Sequence, residues 1–185
     1  MEVFNSEQSV QPPINFIREG AKIGFINGAI ALLLLFGSYF AGLDTFVTIQ
    51  FISKLIPYMM IILIIYGFTL RKRNGGYLAF RDALKYSFMS YVVVAVLVAI
   101  GTYILFNLVD KNLTQKAFDL SIEKMKSTFA GVGMKEEEIE KAMGSRDAQK
   151  TDMPTIFLGT GFGLIWDFVL SLLVSLVIRR EKPVF

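Results

Sequence analysis

The stretch PTIFLGTGFGLIWDFVLSLLVSLVI, from Pro154 to Ile178, is almost entirely apolar and long enough to cross a lipid bilayer. A hydrocarbon core of about 30 Å needs roughly 20 helical residues, since each residue of an α-helix adds about 1.5 Å. Three further runs of this kind precede it, at about 21–43, 51–70 and 84–109. Because a soluble domain of this size has no room for four such helices, the sequence predicts four transmembrane spans.

The composition agrees with a membrane protein. Of the 185 residues, 54% are hydrophobic and 17 are phenylalanine, which is far from the balance of a soluble domain. The chain contains no cysteine and no histidine, so disulfides, thiol nucleophiles and histidine general bases are excluded. No phosphate-binding loop, paired intramembrane carboxylates or serine–base arrangement is present. We therefore expect a non-enzymatic protein with no metal, no cofactor and no nucleic-acid partner.

Basic residues are concentrated in particular connections between the spans. Ten of the 19 basic residues lie in or directly beside the segment 1–20, the loop between spans two and three, and the tail of segment 154–185: Arg18, Lys22, Arg71, Lys72, Arg73, Arg81, Lys85, Arg179, Arg180 and Lys182. Short basic loops remain on the cytoplasmic side of a membrane. The pattern predicts a multi-pass membrane protein with both termini cytoplasmic.

The connection 110–153, between spans three and four, is then extracytoplasmic. Phe118, Ile122, Met125 and Phe129 recur at the spacing of one apolar helix face, and a shorter charged helix follows at 135–143. Two interpretations remain open. The face packs on the protein's own membrane domain or the membrane surface, or it is a docking face for another protein. The predicted fold is an all-α bundle of four transmembrane helices with a helical extracytoplasmic loop.

The stretch NGGYLAFRDALKYSF, Asn74 to Phe88, resembles domain-of-unknown-function family 4199 in its Gly-Gly-Tyr-Leu-x-Phe-x-x-Ala element. The resemblance extends over nearly the whole chain in span order and loop size. It implies a small four-span inner-membrane protein of Bacteroidota, and a link to glycosyl transfer from polyprenyl phosphates. It implies no catalytic residues. Independently, Gly75 and Gly76 predict a tight reversal of the chain between two helices.

Span four carries small or polar residues at every fourth position, which form one ridge: Gly159, Gly163, Asp167, Ser171 and Ser175. Span one carries a similar ridge: Gly20, Gly24 and Gly28. Small residues at this spacing let helices approach closely in lipid. We expect the two ridges to match, and Asp167 to face protein rather than lipid.

Asp167 lies near mid-depth, where a carboxylate costs about 2.5–3.5 kcal/mol on insertion scales. A hydrogen bond, a cation or a wet cavity would offset this cost. Lys54, Tyr58 and Asn27 are the candidate partners, and Pro57 predicts a kink in span two. Asp167 is therefore either a proton- or cation-binding carboxylate or a hydrogen bond that holds helices together.

The sequence favours an accessory or assembly subunit of a larger membrane complex. The alternative is a small oligomeric carrier or lipid flippase that uses Asp167. In either case we expect contact with membrane lipids and with other membrane proteins or further copies of the chain.

Overall fold

The computed structural model describes residues 14–55, 57–129 and 151–183. Within these ranges the protein has six α-helices, one short π-helix and no strand. The α-helices are α1 (Phe16–Phe40), α2 (Leu43–Leu55), α3 (Tyr58–Arg73), α4 (Phe80–Tyr103), α5 (Leu113–Phe129) and α6 (Met153–Ile178), and the π-helix (Ile104–Val109) continues α4. The all-helical prediction is confirmed. The predicted charged helix at 135–143 lies outside the described residues.

Three of these helical segments are long and apolar enough to cross a membrane: α1 with 25 residues, α4 with its π-helical extension with 30, and α6 with 26. The second predicted span is divided into α2 and α3, whose axes differ by 49° and which together would make a fourth crossing. Pro57 directly precedes α3 and has no N–H to donate, which agrees with the predicted kink.

The prediction for the start of this second span was wrong. The stretch DTFVTIQ was expected to be a loop, yet it belongs to α2, which begins at Leu43. Only Ala41 and Gly42 separate α1 from α2. Gly42 has a φ of +112°, a conformation that glycine adopts readily and that reverses the chain here. A long connection is therefore not needed to reverse the chain here.

The helix α4 is the centre of the bundle, with α1 on one side and α6 on the other. Along the α1–α4 contact Gly20 faces Tyr86 and Gly28 faces Leu97, so the two helices run parallel. On the other side, the Ser87 hydroxyl lies 3.0 Å from that of Ser175. Glycines of α1 and serines of α4 and α6 therefore make these contacts, and small side chains of this kind let helices approach closely in lipid.

Two separate apolar clusters form the core. The larger includes Leu63, Leu70, Tyr86 and Ile178 and lies at the end of the bundle where the basic residues are found, hereafter the basic end. The smaller cluster joins Leu35, Phe46, Leu105 and Leu113 near the opposite end.

At the basic end the loop between α3 and α4 is tied to the chain after α6. Gly75 and Gly76 have φ values of +70° and +85° and make the predicted tight reversal. Leu78 is fully buried, and its backbone N–H and C=O pair with those of Arg180, each at 2.8 Å. The first N–H of α4 donates to the Glu181 carboxylate at 3.0 Å. These bonds hold the ends of α3, α4 and α6 together.

Candidate intramembrane cleft

A cleft of about 390 Å³ opens between the two apolar clusters, at the break between α2 and α3. Leu35 of the smaller cluster and Tyr91 of the larger both line it. Its polar lining comes from four helices: Gln50, Ser53, Tyr58, Tyr91, Thr102 and Asp167. A mostly apolar cleft with a few polar side chains is the usual form of a small-molecule binding site.

Asp167 is half-buried in the wall of this cleft, on α6. Of its two neighbours, Trp166 also lines the cleft and is 67% exposed, whereas the Phe168 ring packs edge-on against Phe88 at 5.4 Å. Among the described residues, no hydrogen bond or ion pair reaches the Asp167 carboxylate, which is the only charged group in the described lining. The arrangement leaves the Asp167 carboxyl group beside an open space.

The other candidate partners have different positions. Tyr58 lines the same cleft as Asp167. Asn27 does not: it is fully buried in α1, and neither its amide nitrogen nor its amide oxygen has a partner among the described residues. The backbone of Lys54 belongs to α2, but its side chain is outside the described part of the chain, so the predicted Lys54–Asp167 pair stays a prediction.

The ridge of span four is packed at one end only. Ser171 and Ser175 are buried against α4, where the Ser87 hydroxyl donates to the Ser171 carbonyl at 3.2 Å. Gly159 and Gly163 are exposed, and a Cβ added at either would meet nothing within 4 Å. In the described chain the outer half of the ridge therefore contacts no helix.

The expected match between the two ridges is wrong. Gly24 of span one approaches the backbone of Ser90 in α4, and not α6. Both ridges pack on α4 instead: Gly24 of α1 meets Ser90, and the Ser87 hydroxyl contacts Ser171 and Ser175 of α6. Small residues that lie close together on one face of α4 make room for both neighbours: Ala83, Ser87, Ser90 and Gly101. The close contacts that the sequence predicted between the two ridges are therefore made by each ridge with α4.

A second polar group that the sequence analysis missed lies at the basic end. Glu19 of α1 is only 7% exposed and accepts a hydrogen bond of 2.6 Å from the Tyr66 hydroxyl. Lys22 and Arg73 complete the group, with nitrogen–oxygen distances of 2.8 Å and 3.4 Å to the same carboxylate. Every charge in it is paired, so it fastens α1 to α3. In the sequence this group is indicated by an acidic residue, Glu19, in the first turn of a membrane-spanning helix.

The predicted docking face lies on α5 and is largely covered by the protein's own chain. Phe118 is buried, while Ile122 and Met125 are half-buried. The side chain of Phe129 is outside the described residues. Lys124 fixes α5 to α2 through an ion pair of 2.7 Å with Asp44. This geometry favours packing on the membrane domain over a free docking face.

Taken together, the spans, the cleft and the basic end define a helical membrane protein with a polar site between its spans. The family model described as "Protein of unknown function (DUF4199)" matches residues 22–180. The chain therefore belongs to this family, as its Gly-Gly-Tyr-Leu element indicated. The comparisons with curated proteins and with solved structures found no match.

Proposed function

We propose that the protein is a small, non-enzymatic carrier of the inner membrane, and that Asp167 is its cation- or proton-binding group. The observation that carries the proposal is the cleft: the one charged side chain of its described lining faces open space, with hydroxyl and amide groups around it. A carboxylate that only held helices together would be expected to have a partner in the contact it stabilises.

The position of the cleft gives further support. It lies at the break between α2 and α3, where Ser53, Pro57 and Tyr58 line it. In secondary transporters, discontinuous spans place free backbone groups beside the bound solute or ion near mid-depth. The sequence alone favoured an accessory subunit. The cleft moves the preference to the carrier, because a subunit needs no cavity of this kind.

The topology that we propose has four spans, with the α2–α3 pair as the second, and both termini in the cytoplasm. Its support is the clustering of basic residues at one end of the bundle, at the start of α1 and α4 and after α3 and α6. The cleft then lies nearer the outer face, beyond the larger apolar cluster.

Transport is tested by reconstituting the purified protein into liposomes that enclose a pH-sensitive dye. Gradients of Na⁺, K⁺ and organic ammonium salts are imposed in turn, and proton movement is recorded. We expect at least one cation gradient to drive proton movement in the wild type and not in Asp167→Asn. Asp82→Asn, at the basic end and far from the cleft, should behave as the wild type. Equal traces for wild type and Asp167→Asn in every gradient would refute the carrier.

The accessory or assembly subunit remains a second candidate, because the outer half of α6 presents an open groove at Gly159 and Gly163. Small residues on an exposed helix face allow a further transmembrane helix to pack closely. Co-purification in a mild detergent compares the wild type with Gly163→Leu. A stoichiometric foreign protein that is lost in the variant favours the subunit, whereas a homo-oligomer favours the carrier.

A further inference from the structure

We propose that the cleft beside Asp167 takes an amphipathic organic cation, that is, one positive charge carried on apolar groups. The inference rests on the proposed function in one respect, the assignment of this cleft as a binding site. It adds the chemical class of the ligand.

The charge of the lining selects a cation. Asp167 is the only charged residue among those described in the cleft. The other polar groups of the described lining are neutral hydroxyls and one amide. Away from bulk water an uncompensated carboxylate attracts a cation more strongly than it does in solution. An anionic ligand would meet this charge with no described cation to offset it.

The small number of charged side chains in the described lining argues against a bare metal ion. Hard metal cations take six or more oxygen ligands at close range. The described residues include no group of three or more carboxylate, histidine or cysteine side chains that could hold one. A cation whose charge is spread over a bulky apolar body needs one counter-charge and a surrounding surface, and not a complete shell of oxygens.

The aromatic and sulfur-bearing side chains supply that surface. Tyr58, Tyr91 and Trp166 line the cleft from three different helices, and Met59 and Met60 lie beside them. Aromatic faces attract organic cations through the negative potential above the ring. Methionine side chains adapt to irregular apolar shapes. The volume of about 390 Å³ is within the range of roughly 300–1,000 Å³ that small-molecule sites occupy.

Access to the cleft favours a ligand that enters lipid. Leu34 and Trp166 line the cleft and are also exposed on the surface of the bundle, at 36% and 67%. On a membrane-spanning bundle that surface faces hydrocarbon. A molecule with apolar groups around its charge can reach the opening from the bilayer, whereas a strongly hydrated ion cannot do so easily.

The experiment measures equilibrium binding of tetraphenylphosphonium to the full-length protein in lipid nanodiscs. Triphenylphosphine oxide, a neutral molecule of similar apolar character, is the ligand control. Asp82→Asn is the protein control, and circular dichroism establishes that each variant is folded. We expect saturable binding to the wild type, at least a tenfold weaker affinity in Asp167→Asn, and an affinity within twofold of wild type in Asp82→Asn. Binding of the neutral analogue should not depend on Asp167.

Three results would overturn the inference. The first is no saturable binding to the wild type, and the second is equal affinity in the wild type and Asp167→Asn. The third is binding that appears only in Lys54→Gln, because the native Lys54 ammonium would then neutralise Asp167. The transport test separates this inference from the proposed function: proton movement driven by Na⁺ or K⁺ without phosphonium binding keeps the carrier and removes the ligand class. Phosphonium binding without transport does the reverse.

Discussion

Replacing Gly24 by alanine places a methyl group in a close part of the α1–α4 contact. The new Cβ would lie 2.8 Å from the Ser90 carbonyl oxygen and 2.8 Å from the Cβ of Val93. Carbon atoms in contact normally lie about 3.5–4.0 Å apart, so the helices must separate by about 1 Å. Neither neighbour can rotate away, since one is backbone and the other is attached directly to it. Overpacking of this kind costs about 1–3 kcal/mol.

Gly163→Ala is the matched control, because a Cβ at that position meets nothing within 4 Å. Both substitutions gain the same helix propensity, about 1 kcal/mol in water, so the difference between them isolates the steric cost. We expect Gly24→Ala to unfold earlier than Gly163→Ala when SDS is titrated into the protein in mild detergent. Far-UV circular dichroism and the fluorescence of Trp166, the single tryptophan, report the transition. Equal midpoints would refute the α1–α4 packing described above.

Three further outcomes are expected. With single cysteines at Asn74 and Ser145 in the cysteine-free chain, an impermeant thiol reagent applied to spheroplasts should label only the second, and labelling of the first instead would reverse the topology. Tyr66→Phe removes the 2.6 Å hydrogen bond to the buried carboxylate of Glu19. It should lower the free energy of unfolding by about 1–3 kcal/mol in the same SDS titration, and no change would mean that the bond is not formed. Serine at both Ile122 and Met125 should lower the stability of the protein without releasing a partner, because α5 packs on α2; the opposite result in a melting and co-purification experiment restores the docking face.

The helices could be predicted from the sequence because the bilayer fixes their length and their apolar character. The run at 154–178 agrees with α6 to within one residue at its start, and the run at 84–109 ends where the π-helix ends. The first part of α2, before residue 51, was missed because its sequence mixes β-branched, polar and charged residues and has no long apolar run. Its helical state is set by contacts with α1 and α5 rather than by its own pattern.

The pairing of helices could not be predicted, because a small-residue ridge indicates a close contact without naming the partner. The ridges of α1 and α6 were each recognised, but the small residues of α4 that both of them pack against were not: Ala83, Ser87, Ser90 and Gly101. The same limit applies to the cleft. Asp167 and Tyr58 were identified as unusual residues, whereas Gln50 and Thr102 carry no signal until the fold brings them to the same space.

Asp167 itself gives the final prediction, which separates a binding residue from a structural one by stability alone. If Asp167 were a hydrogen-bonded contact between helices, Asp167→Leu would loosen the bundle by removing a hydrogen bond and crowding a facing helix. In the structure the side chain borders a cleft, and no described residue bonds to it. A leucine there would meet open space and would remove a group that costs about 2.5–3.5 kcal/mol near mid-depth on insertion scales.

We therefore expect both Asp167→Asn and Asp167→Leu to be at least as stable as the wild type in the SDS titration, with leucine the more stable of the two. Residues kept for binding often reduce the stability of the protein that carries them, and their replacement then raises it. Asp167→Leu in a Lys54→Gln background is the control, since a buried pair would make the single and double variants differ strongly. If leucine instead destabilises the bundle while asparagine is neutral, Asp167 acts as a hydrogen-bonded contact between helices. The cleft would then lose the one charge on which both its proposed ligand and its proposed role depend.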